Sequence, residues 1–173
     1  MRAKNKPIPA IVKDLFYVCE EGIVRNKVRR SRTAKKDEPA GAKHSLGKYR
    51  TIMFKHEGKR LELLAHRIAW YLHYNEQPPV LIDHKDGDGF NNKKENLREC
   101  TYQENMYNMS KTTSSTGVKG VSIRNGRYIV RLRVNGKTKT FGTYDTLEEA
   151  EQVVIEKREL YHKDFANHGE TIK

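Results

Sequence analysis

The sequence predicts an α+β protein in two parts, in which short strands and helices precede a three-stranded antiparallel sheet packed on one helix. Three observations predict it. Two Asn-Gly pairs, Asn125-Gly126 and Asn135-Gly136, separate the alternating runs "VKGVSIR", "RYIVRLRV" and "KTKTFG", the pattern of two-residue hairpin turns in a meander. A hairpin pattern at 49–64 passes directly into apolar residues at helical spacing. The polar stretch "HKDGDGFNN" interrupts two short apolar runs just before a capped helix start.

Taken in order, residues 11–25 contain the apolar pieces "AIV", "LFYV" and "GIV", which read as short strands. "RNKVRRSRTAKKDEPAGAKHS" (25–45) has few apolar residues and many charges, and reads as a mobile basic loop. Tyr49–Phe54 and Arg60–Leu64 form the hairpin, with Glu57-Gly58 at its turn. A helix over about Ala65 to Tyr74 follows from Ala65, Ile68, Ala69 and Leu72, and Pro78-Pro79 closes that unit. "VLID" (80–83) and "NLREC" are short strands around the turn-rich loop. Thr101 and Glu104 form a capping box for the next helix. The small polar run 110–117 is a linker between domains 1–109 and 118–173. A second capping box, Thr146 with Glu149, opens a helix to about His162 whose apolar stripe is Leu147, Ala150, Val153, Val154, Leu160 and Tyr161.

The chain is 36% hydrophobic and 32% charged, with a formal net charge of +12. Such an excess favours a polyanionic partner, most simply nucleic acid. Residues 1–80 and 111–145 are basic on balance, whereas 81–110 and 146–173 are slightly acidic. An acidic patch between phosphate-binding surfaces suits a site that holds a cation against a phosphate, and it equally suits acids placed in turns and helix starts. Cys19 and Cys100 lack metal-site spacing, so a reduced, cytoplasmic protein is expected. No signal peptide or membrane span is expected, and no small-molecule substrate is implied.

Strand alternation assigns the faces of the meander. Tyr128, Val130, Leu132 and Val134 share a face with Val121 and Ile123, which takes the helix. Arg124, Arg127, Arg131 and Arg133 occupy the other face, and Thr138 and Thr140 stand beside the last two. That register puts Lys137 and Lys139 on the apolar side. Four arginines on an open sheet face fit reading of the DNA major groove, where arginine takes guanine with two hydrogen bonds. A solvated sheet face is the plainer alternative. The segment from "GVKGVSIRNGRYIVRLRVNG" to "FGTYDTLEEA" and the closing "FAN" resembles the Apetala/ethylene-response-factor (ERF) DNA-binding domain. The resemblance implies a sheet in the major groove with the helix behind it. Tyr128 stands near the position where plant members often carry tryptophan, so base preference does not carry over.

"LIDHKDGDGFNNKKENLRECTYQEN" carries the candidate chemistry. Phosphodiester hydrolysis needs an activated water and a cation that neutralises developing charge. Asp83-His84 supplies a carboxylate and an imidazole at a strand end. Asn96 opens the second strand, where its carbonyl can orient His84, and Asn105 lies one turn into the capped helix, where its amide oxygen can join Asp83 on a metal. A calcium loop beginning at Asp86 fails, since Phe90, Asn91 and Leu97 occupy positions that need an oxygen ligand, glycine and glutamate. A zinc site lacks clustered histidine and cysteine. Asn91, Asn92, Asp86 and Asp88 read as turn formers rather than ligands. The spacing "IDHKDGD…NN…NLR…T…EN", preceded by "LAHRIAWYLHY", resembles the HNH homing-endonuclease family common in bacteriophages. The resemblance implies a ββα-metal (His-Me finger) nuclease domain. It implies Asp83 and Asn105 as metal ligands, His84 as general base, Asn96 as the residue orienting it, and Mg²⁺ (alternatively Mn²⁺) as cofactor. His66 and Arg67 match too, with a structural role as plausible as phosphate contact.

The expected function is therefore a site-specific, homing-type DNA endonuclease acting on double-stranded DNA and nicking one strand per monomer, in the host cytoplasm if phage-encoded. Arg29, Arg30 and Arg32 of the basic loop join the sheet arginines as candidate DNA-binding residues. The alternatives are a catalytically silent DNA-binding regulator and an RNA-binding or nucleoid protein. Monomer and dimer are both open.

Overall fold

The computed structural model describes residues 6–43, 47–109 and 114–169. The chain divides into two compact units, Met1–Glu99 and Cys100–Lys173.

The N-terminal unit begins with α1 (Val12–Leu15), β1 (Phe16–Val18) and β2 (Val24–Asn26), the strands pairing antiparallel. The first apolar piece, expected as a strand, is partly helical. Val12 N–H donates to Pro9 O at 3.1 Å and Lys13 N–H to Ala10 O at 3.1 Å; proline at the start presets a helical turn that short-range apolar pattern does not reveal. Residues 25–43 also differ from expectation, because they are pinned rather than loose. Asn26, 1% exposed, exchanges backbone bonds with Glu38 (3.0 Å) and Asp37 (2.8 Å), and Ala40 N–H reaches Val24 O at 2.8 Å. Arg30 reaches Asn26 Oδ1 through Nε and Nη2 (3.1 and 2.8 Å) and lies over the Phe16 ring at 4.6 Å. A few buried polar bonds thus order a segment whose composition alone reads as solvated.

Strands β3 (Ala42–Lys43), β4 (Arg50–His56) and β5 (Lys59–Leu64) form a sheet in that order. The β4–β5 turn places Glu57 at φ 49° and Gly58 at φ 72°, the double positive φ of a type I′ hairpin. Helix α2 (Ala65–Tyr74) occupies the expected span and ends at Asn75, which sits at φ 59° and returns its N–H to Tyr71 O. Its Ile68 and Ala69 join Phe16, Val24, Ile52, Leu63 and Leu97 in one core. Strands β6 (Ile82–His84) and β7 (Leu97–Glu99) pair antiparallel, Asp83 opposite Arg98 and His84 opposite Leu97. The loop between them closes with a 3-10 turn at Lys94–Asn96.

The C-terminal unit contains α3 (Tyr102–Tyr107), β8 (Val121–Arg124), β9 (Arg127–Val134), β10 (Lys137–Tyr144) and α4 (Leu147–His162). Both bonds of the Thr101–Glu104 capping box are present. Helix α3 packs with this unit: Tyr107 stacks on His162 at 3.6 Å between ring centroids, and its hydroxyl accepts the Asn135 N–H at 3.1 Å. The units therefore part about ten residues before the expected linker. Residues 110–113 of that linker lie outside the described residues, and Thr116 Oγ1 bonds Val121 O at 3.0 Å.

The sheet order is β10-β9-β8, with Arg124 opposite Arg127, Val121 opposite Val130, Thr138 opposite Arg133 and Thr140 opposite Arg131. A bulge between Thr140 and Gly142 shifts the register of β10 and lets Phe141 and Tyr144 pack on the core. Lys137 and Lys139 do fall on the helix side and remain exposed; Lys139 lies over the Tyr161 ring at 5.8 Å, on the margin of α4. The buried stripe of α4 differs from the expected one. Ala150 and Val154 are buried, but the stripe continues through Arg158 (1% exposed) and His162 (6%), while Leu160 (59%) faces solvent. The buried heads find acceptors that keep them in the interior: Arg158 bonds Lys119 O and His168 Nδ1, and His162 Nε2 meets Arg133 O at 2.9 Å.

Candidate active site

Strand alternation sends Asp83 and His84 to opposite faces of the β6–β7 ribbon. Asp83 is 5% exposed and meets its cross-strand partner Arg98 by two nitrogens on one oxygen, Nε–Oδ2 at 2.8 Å and Nη2–Oδ2 at 2.7 Å. His84, 4% exposed, ends the strand and turns into the unit among other rings. Its ring centroid lies 5.5 Å from that of His66, edge to face, and 6.0 Å from that of Tyr49; Tyr49 and His66 are 5.1 Å apart. Three side chains from β6, α2 and the lead into β4 thus form one cluster of rings.

Asn92 Oδ1 lies within hydrogen-bond distance of His84 Nε2, at 3.2 Å. The other end of that amide donates to Gly22 O (3.2 Å) and Phe90 O (3.0 Å), which fixes the orientation of the group. Because Oδ1 can only accept, Nε2 carries the hydrogen and the neutral ring keeps its lone pair on Nδ1. Asn92 itself is 2% exposed; its N–H donates to Gly22 O at 2.9 Å, and its carbonyl meets His73 Nε2 at 2.9 Å. Gly22, at φ 78°, lets the backbones approach this closely, since a Cβ there would stand 2.7 Å from Lys93 N and 2.8 Å from Asn92 N.

The Asn96 side chain, expected to orient His84, is committed to the loop. Its Nδ2 donates to Asp86 Oδ1 (3.0 Å) and Asn91 O (2.7 Å), and its Oδ1 accepts the Asp86 N–H (3.1 Å). Asp86 and Asp88 make Asx turns to Asp88 N and Phe90 N (2.8 and 2.9 Å), so the turn-forming reading of these two residues describes their bonds. Asn92 is the residue that sequence reading missed. A pair of adjacent asparagines in a polar turn carries no signal that one of them is buried.

Burial pushes the His84 imidazole below its usual value, opposed by the Asn92 bond and by the carboxylates of Asp86, Asp83 and Asp88. Burial, with His84 and Arg67 nearby, lowers His66 to about 3. The His66 Nδ1 is buried without a hydrogen-bond partner among the described residues. Arg67 donates to Pro79 O at 2.8 Å and to Pro78 O at 3.4 Å, a structural role.

Asp83, His84 and Asn96 therefore belong to one strand-loop-strand segment. Asn105 is half-buried in α3 of the other compact unit. Among the described residues, no three His, Cys, Asp or Glu side chains cluster as a metal site. The donors assigned from sequence, a carboxylate and an amide oxygen, are hard ligands that suit a cation retaining several waters, and not a zinc centre.

The register places the sheet arginines on the expected face, with two qualifications. Arg124, Arg131, Thr138 and Thr140 are exposed. Arg127 is ion-paired with Asp145 at 2.7 Å, and Arg133 Nε reaches Gly136 O at 3.3 Å. Ile123, expected on the face that takes α4, is 49% exposed. In the basic segment Arg29 and Arg32 are exposed, whereas Arg30 is half-buried and bonded to Asn26 and Met53 O, so its role is internal.

Residues 63–107 match the HNH endonuclease family. Protein 3.8 of Escherichia phage T7 is 38% identical over 88 residues, covering 49% of this chain and 72% of that protein. The chain belongs to the HNH endonuclease family. The uncharacterized HNH endonuclease L560 of Acanthamoeba polyphaga mimivirus is 31% identical over 107 residues, 61% of this chain and 56% of that protein. No solved structure matches the chain. The HNH segment takes in α2, the β6–β7 ribbon with its loop, and α3, and it stops before the β8–β10 sheet. Among the described residues no helix is long and apolar enough to cross a membrane.

Proposed function

We propose that this HNH protein is a metal-dependent, homing-type DNA endonuclease that nicks one strand per monomer. The observation that carries the reading is the His84–Asn92 bond. It supports a neutral imidazole whose Nδ1 is the basic nitrogen, inside the family segment and beside carboxylates. In the proposed reaction His84 Nδ1 removes a proton from water, the water oxygen bonds to phosphorus, and the P–O3′ bond breaks. Asp83 would supply a carboxylate ligand to the divalent cation, Mg²⁺ or Mn²⁺. When bound, the cation supplies charge neutralisation at the phosphate and at the departing 3′ oxygen. Arg98 orients the Asp83 carboxylate through Oδ2. Asn92 holds the His84 tautomer, and Asn96 braces the loop that carries both.

Substrate recognition is assigned to the face carrying Arg124, Arg131, Arg133, Thr138 and Thr140, as an ERF-like sheet in the major groove. The three-stranded register and the exposure of those side chains support it. The test is plasmid nicking with Mg²⁺, with and without EDTA, by the wild type and by His84→Ala. Nicking by the wild type alone supports the reading; equal nicking by both removes His84 as the base.

One observation favours a catalytically silent DNA-binding regulator instead, the guanidinium of Arg98 on Asp83. A cation there meets a like charge, which weakens its binding. Titration of the protein with Mn²⁺ in a calorimeter separates the two: saturable binding lost in Asp83→Ala favours the nuclease, and no binding favours the regulator.

A further inference from the structure

We propose that the cleft between the 28–34 segment and the β4–β5 hairpin is a subsite for the sugar-phosphate backbone of DNA. The inference rests on DNA being the substrate, and it concerns residues that the HNH segment does not contain. The cleft has a volume of about 890 Å³, and its walls include Arg29, Ser31, Thr33, Lys55 and Arg60, with Arg30 among them and no aspartate or glutamate. Such a volume exceeds a single phosphate and suits a short stretch of backbone.

Two features distinguish this cleft from a merely solvated basic surface. Lys55 and Arg60 are directly opposite each other across the β4–β5 ladder. Like charges in that position repel, and the arrangement costs stability unless an anion lies against it. The nearest acid in the ladder, Glu62, stands opposite Met53, and among the described residues no ion pair joins Arg29, Lys55 or Arg60 to any carboxylate. The second feature is rigidity. Arg30 ties the segment to Asn26, to Met53 O (3.0 Å) and to the Phe16 ring, while Ser31 Oγ accepts the Ala34 N–H at 3.0 Å and lies 3.4 Å from Thr33 Oγ1. The cations and hydroxyls therefore project from a fixed wall, and little order is lost when a backbone is bound. Contacts of this type position a duplex without reading its sequence.

The test uses the full-length protein and fluorescent duplex DNAs of two unrelated sequences in EDTA, so that binding is measured without cleavage. The triple variant Arg29→Gln, Lys55→Gln, Arg60→Gln is compared with a charge-matched control, Lys6→Gln, Lys35→Gln, Lys36→Gln, whose residues do not line the cleft. The cleft variant is expected to bind both duplexes more weakly, by about tenfold or more near 0.1 M salt. Its log Kd against log salt slope should fall by about 0.9 for each lost contact. The control should retain the wild-type slope. Unchanged affinity and slope in the cleft variant, or equal losses in the control, overturns the proposal. Circular dichroism of each protein secures the comparison; should the triple variant unfold, Lys55→Gln alone carries the same slope test, with a drop of about one unit expected and an unchanged slope overturning the subsite. The nuclease reading is scored separately by nicking with His84→Ala, which should bind as the wild type does.

Discussion

In the β6–β7 loop, Asn92 and Asn96 are 2% and 7% exposed, and the amide oxygen and nitrogen of each bond to neighbours in the same unit. On the outer face of β8–β10, Arg124 and Arg131 stand in solvent across the sheet from a core of Val121, Val130 and Val154. The first region hides its polar groups and fixes them; the second displays them and leaves them adaptable. The contrast suits the two tasks proposed for them. A general base needs one tautomer in one position, whereas groove recognition needs donors that reach a partner and are covered only when it arrives.

Predictions can break or sharpen that contrast. The largest effect belongs to His84→Ala, expected to reduce cleavage by about 10²- to 10⁴-fold with DNA affinity within about twofold. A matching loss of affinity in a binding assay would merge the two regions into one. Next is Asn92→Ala. It removes the acceptor of His84 Nε2 and the donor to two carbonyls, so thermal denaturation should show a loss of about 1–3 kcal/mol. Single-turnover cleavage should slow far more than DNA binding weakens. Unaltered kinetics would leave Asn92 a purely structural residue.

A smaller effect separates the regions by pH. His66 is neutral in the folded protein down to about 3, whereas in the unfolded chain it takes up a proton below about 6.5. The unfolded state thus binds the extra proton, and stability falls as pH drops through that window, by at most about 1.4 kcal/mol per pH unit. His66→Phe should flatten the slope in chemical denaturation between pH 6.5 and 4. The lowered His84 has the same sign, so the acid limb of cleavage should lie below the ordinary histidine value; a limb above it would mean that the carboxylates outweigh burial.

On the sheet, Arg131→Ala should alter stability by less than about 0.5 kcal/mol and reduce discrimination at one base position by about 1–3 kcal/mol, read by selection from a random duplex library. Arg127→Ala should do least, because its guanidinium is already shared with Asp145. A larger change in site preference from Arg127 than from Arg131 would mean that the pair opens on DNA.

Much of the fold was legible because local rules dominate there. The Asn125-Gly126 and Asn135-Gly136 turns, at φ 51° and 50° for the asparagines, set the register that places each arginine. Helix α2 and the Thr101 box follow from periodicity and capping alone. Legibility ended where polar residues are buried. Arg158 and His162 look like surface positions of α4, and residues 25–43 look solvated, yet both are held by acceptors distant in sequence, such as Lys119 O and Arg133 O. The same cause hid Asn92, whose partner Gly22 lies 70 residues away.

By itself, the sequence determined the strands, the two-residue turns, the alternation of the sheet and the presence of an Asp-His pair beside a turn, because each depends on neighbours within a few residues. Tertiary structure alone decided which asparagine reaches His84, that Arg98 meets Asp83, and that Arg30 faces inward. Those choices depend on which donors and acceptors remain unmatched once the core has closed, and no short window of residues contains that information.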